Sequence, residues 1–477
     1  MSHPVHDSTD APPADRRALP RRRARTLLAV LCLVQFMLVL DVTVVNVALP
    51  SIAADLQLSA LATPWVINAY VVAFGGLMLL GGRLADAYGQ RFMLVLGLII
   101  FVASSALCAA SADESMLLLG RVLQGVGAAL MSPAALSSLT RSFNGHGRLR
   151  ALAAWAGVAS SGFAAGLIVG GVLTNSLGWQ SIFAINVVTG LVVAPFIVVL
   201  VPRASDGDRG RVDVVGGVLA TLIVGAVVYA ITALAEMPER WTEVAISAAV
   251  ALVAAFGFVV ASRRAVSPLI PPRVLRRRSV VAGLLVMIAA TGGMLSLYYL
   301  ASAYLQIGLG GTPLWTGIAF LPAALTILAS AHLSTRLIAT HGAREVAIGS
   351  FLVASGGAAL LSLVWWQAES GWIVVGGLIF ASAGLGPLFV VATSTTMSAV
   401  SPTDTGSASG IVNTGHELGG AMGVAGVSAV VGSILTASAA DFSRAFVIVA
   451  VATGAMALAA RWLVPPIRVA SGHGHGH

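Results

Sequence analysis

No lysine occurs anywhere in the 477 residues, so all 27 basic side chains are arginines. A phosphate-binding loop of the G-x-x-x-x-G-K-[ST] type therefore cannot exist here, and ATP-driven transport is excluded. Cysteine is nearly absent as well. Cys32 and Cys108 are the only two, both lie in apolar runs, and they are too few for a disulfide framework or a thiolate metal site. Charge is scarce: 10% of residues are charged, against about 25% in a soluble domain, which excludes a water-soluble globular protein. The net charge of +8 does not point to nucleic acid, because the arginines are dealt out between apolar runs rather than gathered on one surface. No Ser/His/Asp constellation and no metal-ligand spacing stands out, so neither an enzyme nor a cofactor or metal site is expected.

Apolar residues make up 57% of the chain, and the mean hydropathy is +0.93. A helix crossing a bilayer needs about 20 residues, so fourteen of them need roughly 280, close to what 57% of 477 supplies. Fourteen runs are near that length: 26–48, 62–82, 92–111, 116–140, 150–172, 182–202, 214–235, 243–262, 280–306, 313–335, 346–366, 372–398, 406–434 and 442–464. Residues 1–24 are polar and arginine-rich, and they read as a disordered cytoplasmic tail attracted to anionic membrane lipid. The first run is too long for a signal-peptide core and lacks a cleavage site, so it reads as a retained span.

Arginine excess marks cytoplasmic loops. With the N-terminus inside and fourteen spans, only Arg240 and Arg444 fall in outside loops, and Arg121 lies within a span. All the others sit in tails or loops on the inner side, so both termini are expected in the cytoplasm.

An internal repeat appears at an offset of 253 residues. RLADAYGQR at 83–91 and RLIATHGAR at 336–344 share Arg-Leu, Gly and Arg at one spacing. Gly157, Gly162, Gly166 and Gly170 recur at the same offset as Gly410, Gly415, Gly419 and Gly423. Duplicated halves point to a transporter. The offset spans eight helices, which gives an N-terminal six-helix bundle at 25–202, spans 7 and 8 with their loops inserted at 203–279, a C-terminal six-helix bundle at 280–464 and a cytoplasmic tail at 465–477. The fold class expected is an all-α polytopic membrane protein.

Several motifs occur in order along the chain. Span 1 carries LDVTVVNVALP (Leu40 to Pro50). The loop after span 2 carries GGRLADAYGQR, with Gly82, Arg83, Asp86, Gly89 and Arg91, but with Ala87 and Gln90 where basic residues are usual. Span 4 carries LGRVLQGVGAA, with Arg121, Gln124 and Gly125, and span 5 carries Gly162, Gly166, Gly170 and Gly171, with Leu167 where a proline is usual. The sequence resembles the major facilitator superfamily, and within it the fourteen-span drug:proton antiporters of the EmrB/QacA type. The resemblance implies two rocking six-helix bundles that export hydrophobic or cationic drugs or antibiotics across a bacterial cytoplasmic membrane, driven by protons and without a cofactor. A proton-coupled uptake symporter and a non-transporting membrane sensor or lipid-binding scaffold are the alternatives.

Asp41 in span 1 and Arg121 in span 4 can share a depth, as a structural ion pair or as a proton site. Glu417 is the only acidic residue deep within the second half, with Asn413 one turn earlier on its face and His416 beside it. It is either a buried neutral carboxyl or a second proton or cation site. Asn46, Gln124, Tyr298, Tyr299, Asn413, His416 and Glu417 are the expected substrate-cavity residues, although tyrosines near span ends also serve as interface anchors. The loop residues Gly82, Arg83, Asp86, Gly89 and Arg91 are expected to form a cytoplasmic latch in which Asp86 meets the two arginines. The glycines at 162, 166, 170 and 171 and at 415, 419 and 423 are expected at the moving surface between the halves.

Overall fold

A computed structural model describes residues 20–202, 212–265, 268–270, 272–365, 371–398, 400–401 and 405–466. The expected tails, up to residue 19 and from 467 on, lie outside the described residues, as does 203–211 of the inserted segment.

The described elements are all helical: α1 (Arg21–Asp55), α2 (Ala62–Tyr88), α3 (Gln90–Ala109), α4 (Glu114–Ser142), α5 (Gly145–Leu177), α6 (Ser181–Leu200), α7 (Val214–Ala233), α8 (Trp241–Arg264), the short α9 (Pro272–Leu275), α10 (Arg278–Ala303), α11 (Pro313–His341), α12 (Ala343–Leu361), α13 (Gly371–Met397), α14 (Thr405–Val431) and α15 (Ala439–Leu463). Each expected span is one of them, spans 9 to 14 being α10 to α15. Among the described residues, 13 helices are long and apolar enough to cross a membrane. The long helix outside that set is α14, whose 27 residues include Asn413, His416 and Glu417.

The helix ends follow from local sequence. Asp113 caps α4 by accepting from the Met116 amide at 2.8 Å, Thr312 caps α11 ahead of Pro313, and Ser438 with Asp441 forms a reciprocal capping box on α15. The repeat is visible in the backbone. Gly89 and Gly342, 253 residues apart, end α2 and α11 with φ of 96° and 90°, a conformation that side chains other than glycine rarely adopt.

Within the first six helices, α4 packs on α2 and α3, and α1 packs on α5 and α6; within the last six, α13 packs on α10, α11 and α12, and α14 packs on α10. The two sets meet where α5 crosses α11 and α2 crosses α14. Side-chain contacts define two opposite faces. On the face where α1 starts, Arg23 donates to the Val199 carbonyl at the end of α6, and Asp86 meets Arg141 at the ends of α2 and α4. On the far face, where α1 ends, Trp179 donates to Asp55 and Ser59 to Glu114.

The inserted pair has an unequal role. α7 lies along the α2–α14 seam, with Gly76 on Thr221 and Gly217 on Leu80, whereas α8 packs on α7 and only 6% of its apolar stretch is buried.

Candidate functional site: a buried ion pair beside an apolar cavity

Two charges sit where charge is most costly. Asp41 of α1 is 0% exposed and Arg121 of α4 is 1% exposed, and they meet through Nη1 and Oδ2 at 2.6 Å. Side chains and a carbonyl from neighbouring helices surround the pair. Asn186 of α6 donates Nδ2 to Asp41 Oδ1 at 2.6 Å, and Gln124 donates to the same oxygen at 3.3 Å. Arg121 also donates Nε to the Val66 carbonyl at 2.8 Å and Nη1 to Gln124 Oε1 at 2.9 Å. Gln124 Nε2 is tied to Ser105 of α3 at 2.8 Å. The guanidinium lies 4.5 Å from the ring centre of Tyr70, a favourable stacking of a cation on an aromatic face. Five helices of the first half therefore converge on one ion pair.

Sequence reasoning brought Asp41 and Arg121 together, placed Gln124 in the substrate cavity instead, and missed Asn186, Ser105 and Tyr70. Asn186 carried a readable signal, an amide within the apolar run IFAINVV. Ser105 and Tyr70 carried none.

A cavity of about 450 Å³ lies between the two halves, lined by Gln35, Val39, Thr43, Phe74, Trp155 and Phe163 from the first and by Thr291, Leu295, Phe389, Asn413, His416 and Glu417 from the second. Asp41 lies outside it, yet its neighbours Val42 and Thr43 form its wall, and Phe74 of the wall packs 5.7 Å from the Tyr70 ring that covers Arg121. Along that route Phe74 and Tyr70 stand between the cavity and the ion pair. From α4 and α14 the cavity takes residues nearer the face where α1 starts, Ser132, Leu136, Asn413, His416 and Glu417, whereas its α1 residues, Gln35 to Thr43, and its α2 residues, Phe74 and Met78, lie about the middle of those helices. On the far side, α1 and α10 are in direct contact.

Among the described residues, His416 and Glu417 are the only ionisable ones lining the cavity. The Glu417 carboxylate lies 3.3 Å from His416 Nδ1, with side-chain exposures of 14% and 40%, and Phe389 packs on the imidazole. Asn413 lines the same cavity. Glu417 also sits at the crossing of the halves, because its Cβ fills the notch at Gly75 of α2, where no side chain fits, and Thr414 donates to the Gly75 carbonyl at 3.3 Å. The other expected cavity residues lie elsewhere. Tyr298 and Tyr299 are each 1% exposed, and Tyr298 stacks edge-on against Phe163 and Phe320, so it backs the wall rather than facing the space. Gln124 belongs to the ion-pair network, and Asn46 is 3% exposed on α1 beside α10.

The glycine stripes differ from expectation. Gly162, Gly166 and Gly170 meet Val39, Thr43 and Val44 of α1, and Gly415, Gly419 and Gly423 meet Leu284, Ile288 and Gly292 of α10. Each stripe thus joins two helices of its own half, and the repeat duplicates this joint. The reason is geometric: Gly415 and Gly419 point away from the face that carries Glu417. Gly171 does lie between the halves as expected, against Pro313 and Leu314, and Gly317 against the Leu167 carbonyl, Gly75 against Glu417 and Gly410 against Leu79 add to that contact.

The loop pattern differs too. Asp86 pairs with Arg141 at 3.0 Å, both largely exposed, and among the described residues neither Arg83 nor Arg91 forms an ion pair with it. α4 runs beside α2 and brings Arg141 to it, while Gly89 turns the chain that carries Arg91 away. The Gln90 amide lies 3.0 Å from the same guanidinium, and Gly82 packs on Pro133.

Apolar helices in two repeated sets around a central cavity define an integral, multi-pass membrane transporter and not an enzyme. The profile of the Major Facilitator Superfamily matches residues 31–424, and the chain belongs to that family. It is 35% identical to the cephamycin export protein CmcT of Amycolatopsis lactamdurans over 90% of this chain and 90% of that protein. It is also 35% identical to the puromycin resistance protein pur8 of Streptomyces alboniger, over 83% and 80%. In fold it resembles the crystal structure of the POT family transporter PepTSo, at a TM-score of 0.66 and 14% identity, over 92% of this chain and 98% of that one.

Proposed function

We propose that this protein is a proton-coupled antiporter that exports hydrophobic or cationic small molecules, antibiotics among them, across the cytoplasmic membrane of a bacterium. Export and resistance are what the names of the two relatives describe, and the apolar, aromatic cavity suits substrates of that character. On this reading the chain crosses the membrane fourteen times with both termini in the cytoplasm, since loop arginines accumulate on the face where α1 starts. The bundles 25–202 and 280–464 rock about the α5–α11 and α2–α14 crossings, with spans 7 and 8 attached at the seam. The cavity then opens to the cytoplasm, where a drug enters.

The observation that carries the proposal is the Asp41–Arg121 pair, sealed from water behind the wall of the substrate space, to which Val42 and Thr43, next to Asp41 in α1, belong. In the closed arrangement the guanidinium, Asn186 and Gln124 all donate to Asp41. A rotation of the bundles that admits water allows Asp41 to take a proton and release Arg121, so that proton entry and bundle movement are linked. Glu417 serves as a second acidic group that attracts a substrate cation or a second proton, with His416 modulating its charge. Asp86, Arg141 and the neighbouring loop act as a weak contact on the cytoplasmic side.

The test is efflux of a fluorescent drug from a sensitive bacterial host expressing the chain. Efflux that stops with a protonophore and is missing in Asp41→Asn supports the proposal. Efflux that survives the protonophore contradicts it.

A further inference from the structure

Pro50 lies inside α1. A proline has no N–H for the carbonyl four residues before it, so the Asn46 carbonyl lacks its intrahelical donor. The missing bond comes from the other half of the molecule: the Ser302 hydroxyl of α10 donates to the Asn46 carbonyl at 2.9 Å. Next to it, Gln306 Nε2 donates to the Val47 carbonyl at 2.8 Å and lies 3.1 Å from Ser302 Oγ. Gln306 belongs to the single π turn Tyr304–Gly308 that ends α10, and such a turn sets side chains at an angle that a regular helix does not. Ser302 is 1% exposed, so water does not substitute for the bond.

These bonds join the two halves on the far side of the cavity, where α1 and α10 touch. We infer that Ser302 and Gln306 latch the far face shut, using an acceptor that Pro50 frees, and that the latch must break before the cavity opens to that face. The inference rests on the alternating-access reading above and adds the residues that hold one of its two states. Two features suit a latch better than a permanent joint. Each bond is worth only about a factor of five in an equilibrium, and Asn46 Oδ1, at the same place, is buried without a hydrogen-bond partner among the described residues, a cost that admitted water removes.

The test uses spin labels on the far face, at Asn175 near the end of α5 and at Thr436 before α15. Both positions are exposed. The native cysteines are replaced by Cys32→Ala and Cys108→Ser, and the full-length protein is held in lipid nanodiscs. Pulsed electron resonance then reads the ratio of long to short label distances. Ser302→Ala and Gln306→Leu are each expected to raise that ratio about fivefold, and the pair on the order of thirtyfold. The control is Ser443→Ala, which removes a 2.7 Å bond to the Ser362 carbonyl within the second half and is expected to leave the ratio unchanged. An unchanged distribution in the double variant overturns the latch, as does an equal shift in the control. Alternating access itself is read separately in the wild type: a long-distance population that responds to pH or drug supports it, and one distance under every condition contradicts it.

Discussion

Replacing Arg121 by alanine removes the cation from a carboxylate that no water reaches. Asp41 is 0% exposed and would keep only the Asn186 and Gln124 amides, while the Val66 carbonyl and the Tyr70 face lose their partner. Breaking a buried pair from one side costs about 3–5 kcal/mol, mostly as the penalty of the stranded charge. The double variant Asp41→Asn with Arg121→Ala removes that charge, keeps an acceptor for Asn186, and should recover about half of the loss. Equilibrium unfolding in mixed detergent micelles measures both values. Efflux separates stability from coupling: the double variant is expected to fold and still fail to export drug against a gradient. An Arg121→Ala protein as stable as wild type would refute the electrostatic argument. A double variant that exports like wild type would refute the role of the pair in coupling.

Three further outcomes follow from the packing and the cavity. Gly419→Ala should lower folded yield by about 1–3 kcal/mol of stability, because its Cβ would fall 2.7 Å from Ile288 Cα, whereas Gly426→Ala, with nothing within 4 Å, should be neutral; equal yields would mean that the α10–α14 joint is looser than drawn. Glu417→Gln should lose cationic drugs selectively while neutral ones are still exported, measured as a resistance profile in one host, and unchanged resistance to both classes would make Glu417 structural. Asp86→Asn should change stability by no more than about 1 kcal/mol, since its pair with Arg141 is exposed, and a complete loss of transport in a folded protein would show that the loop does more than this contact.

The helices and the ion pair were legible in the sequence for the same reason: in a chain that is 57% apolar, a charge inside a run is conspicuous. Asp41 and Arg121 stood out in that way, and so did Glu417. The 253-residue repeat predicted matching loops, and Gly89 and Gly342 share one backbone conformation. Partners were harder to read. The glycine stripes announce close contact but not with which helix, and both face a helix of their own half. Asp86 had two arginines nearby in sequence, yet the neighbour in space is Arg141. Ser302 and Gln306 are ordinary polar residues near a span end, and only the carbonyl freed by Pro50 gives them a task.

The central claim is that substrate and proton move in opposite directions through one cycle. Purified protein in liposomes that hold a pH indicator tests it most directly: addition of an uncharged drug on one side, with no imposed gradient, should drive protons toward that side, and Asp41→Asn should abolish the signal while leaving drug binding intact. Drug movement with no proton flux, or proton flux in the same direction as the drug, would contradict antiport.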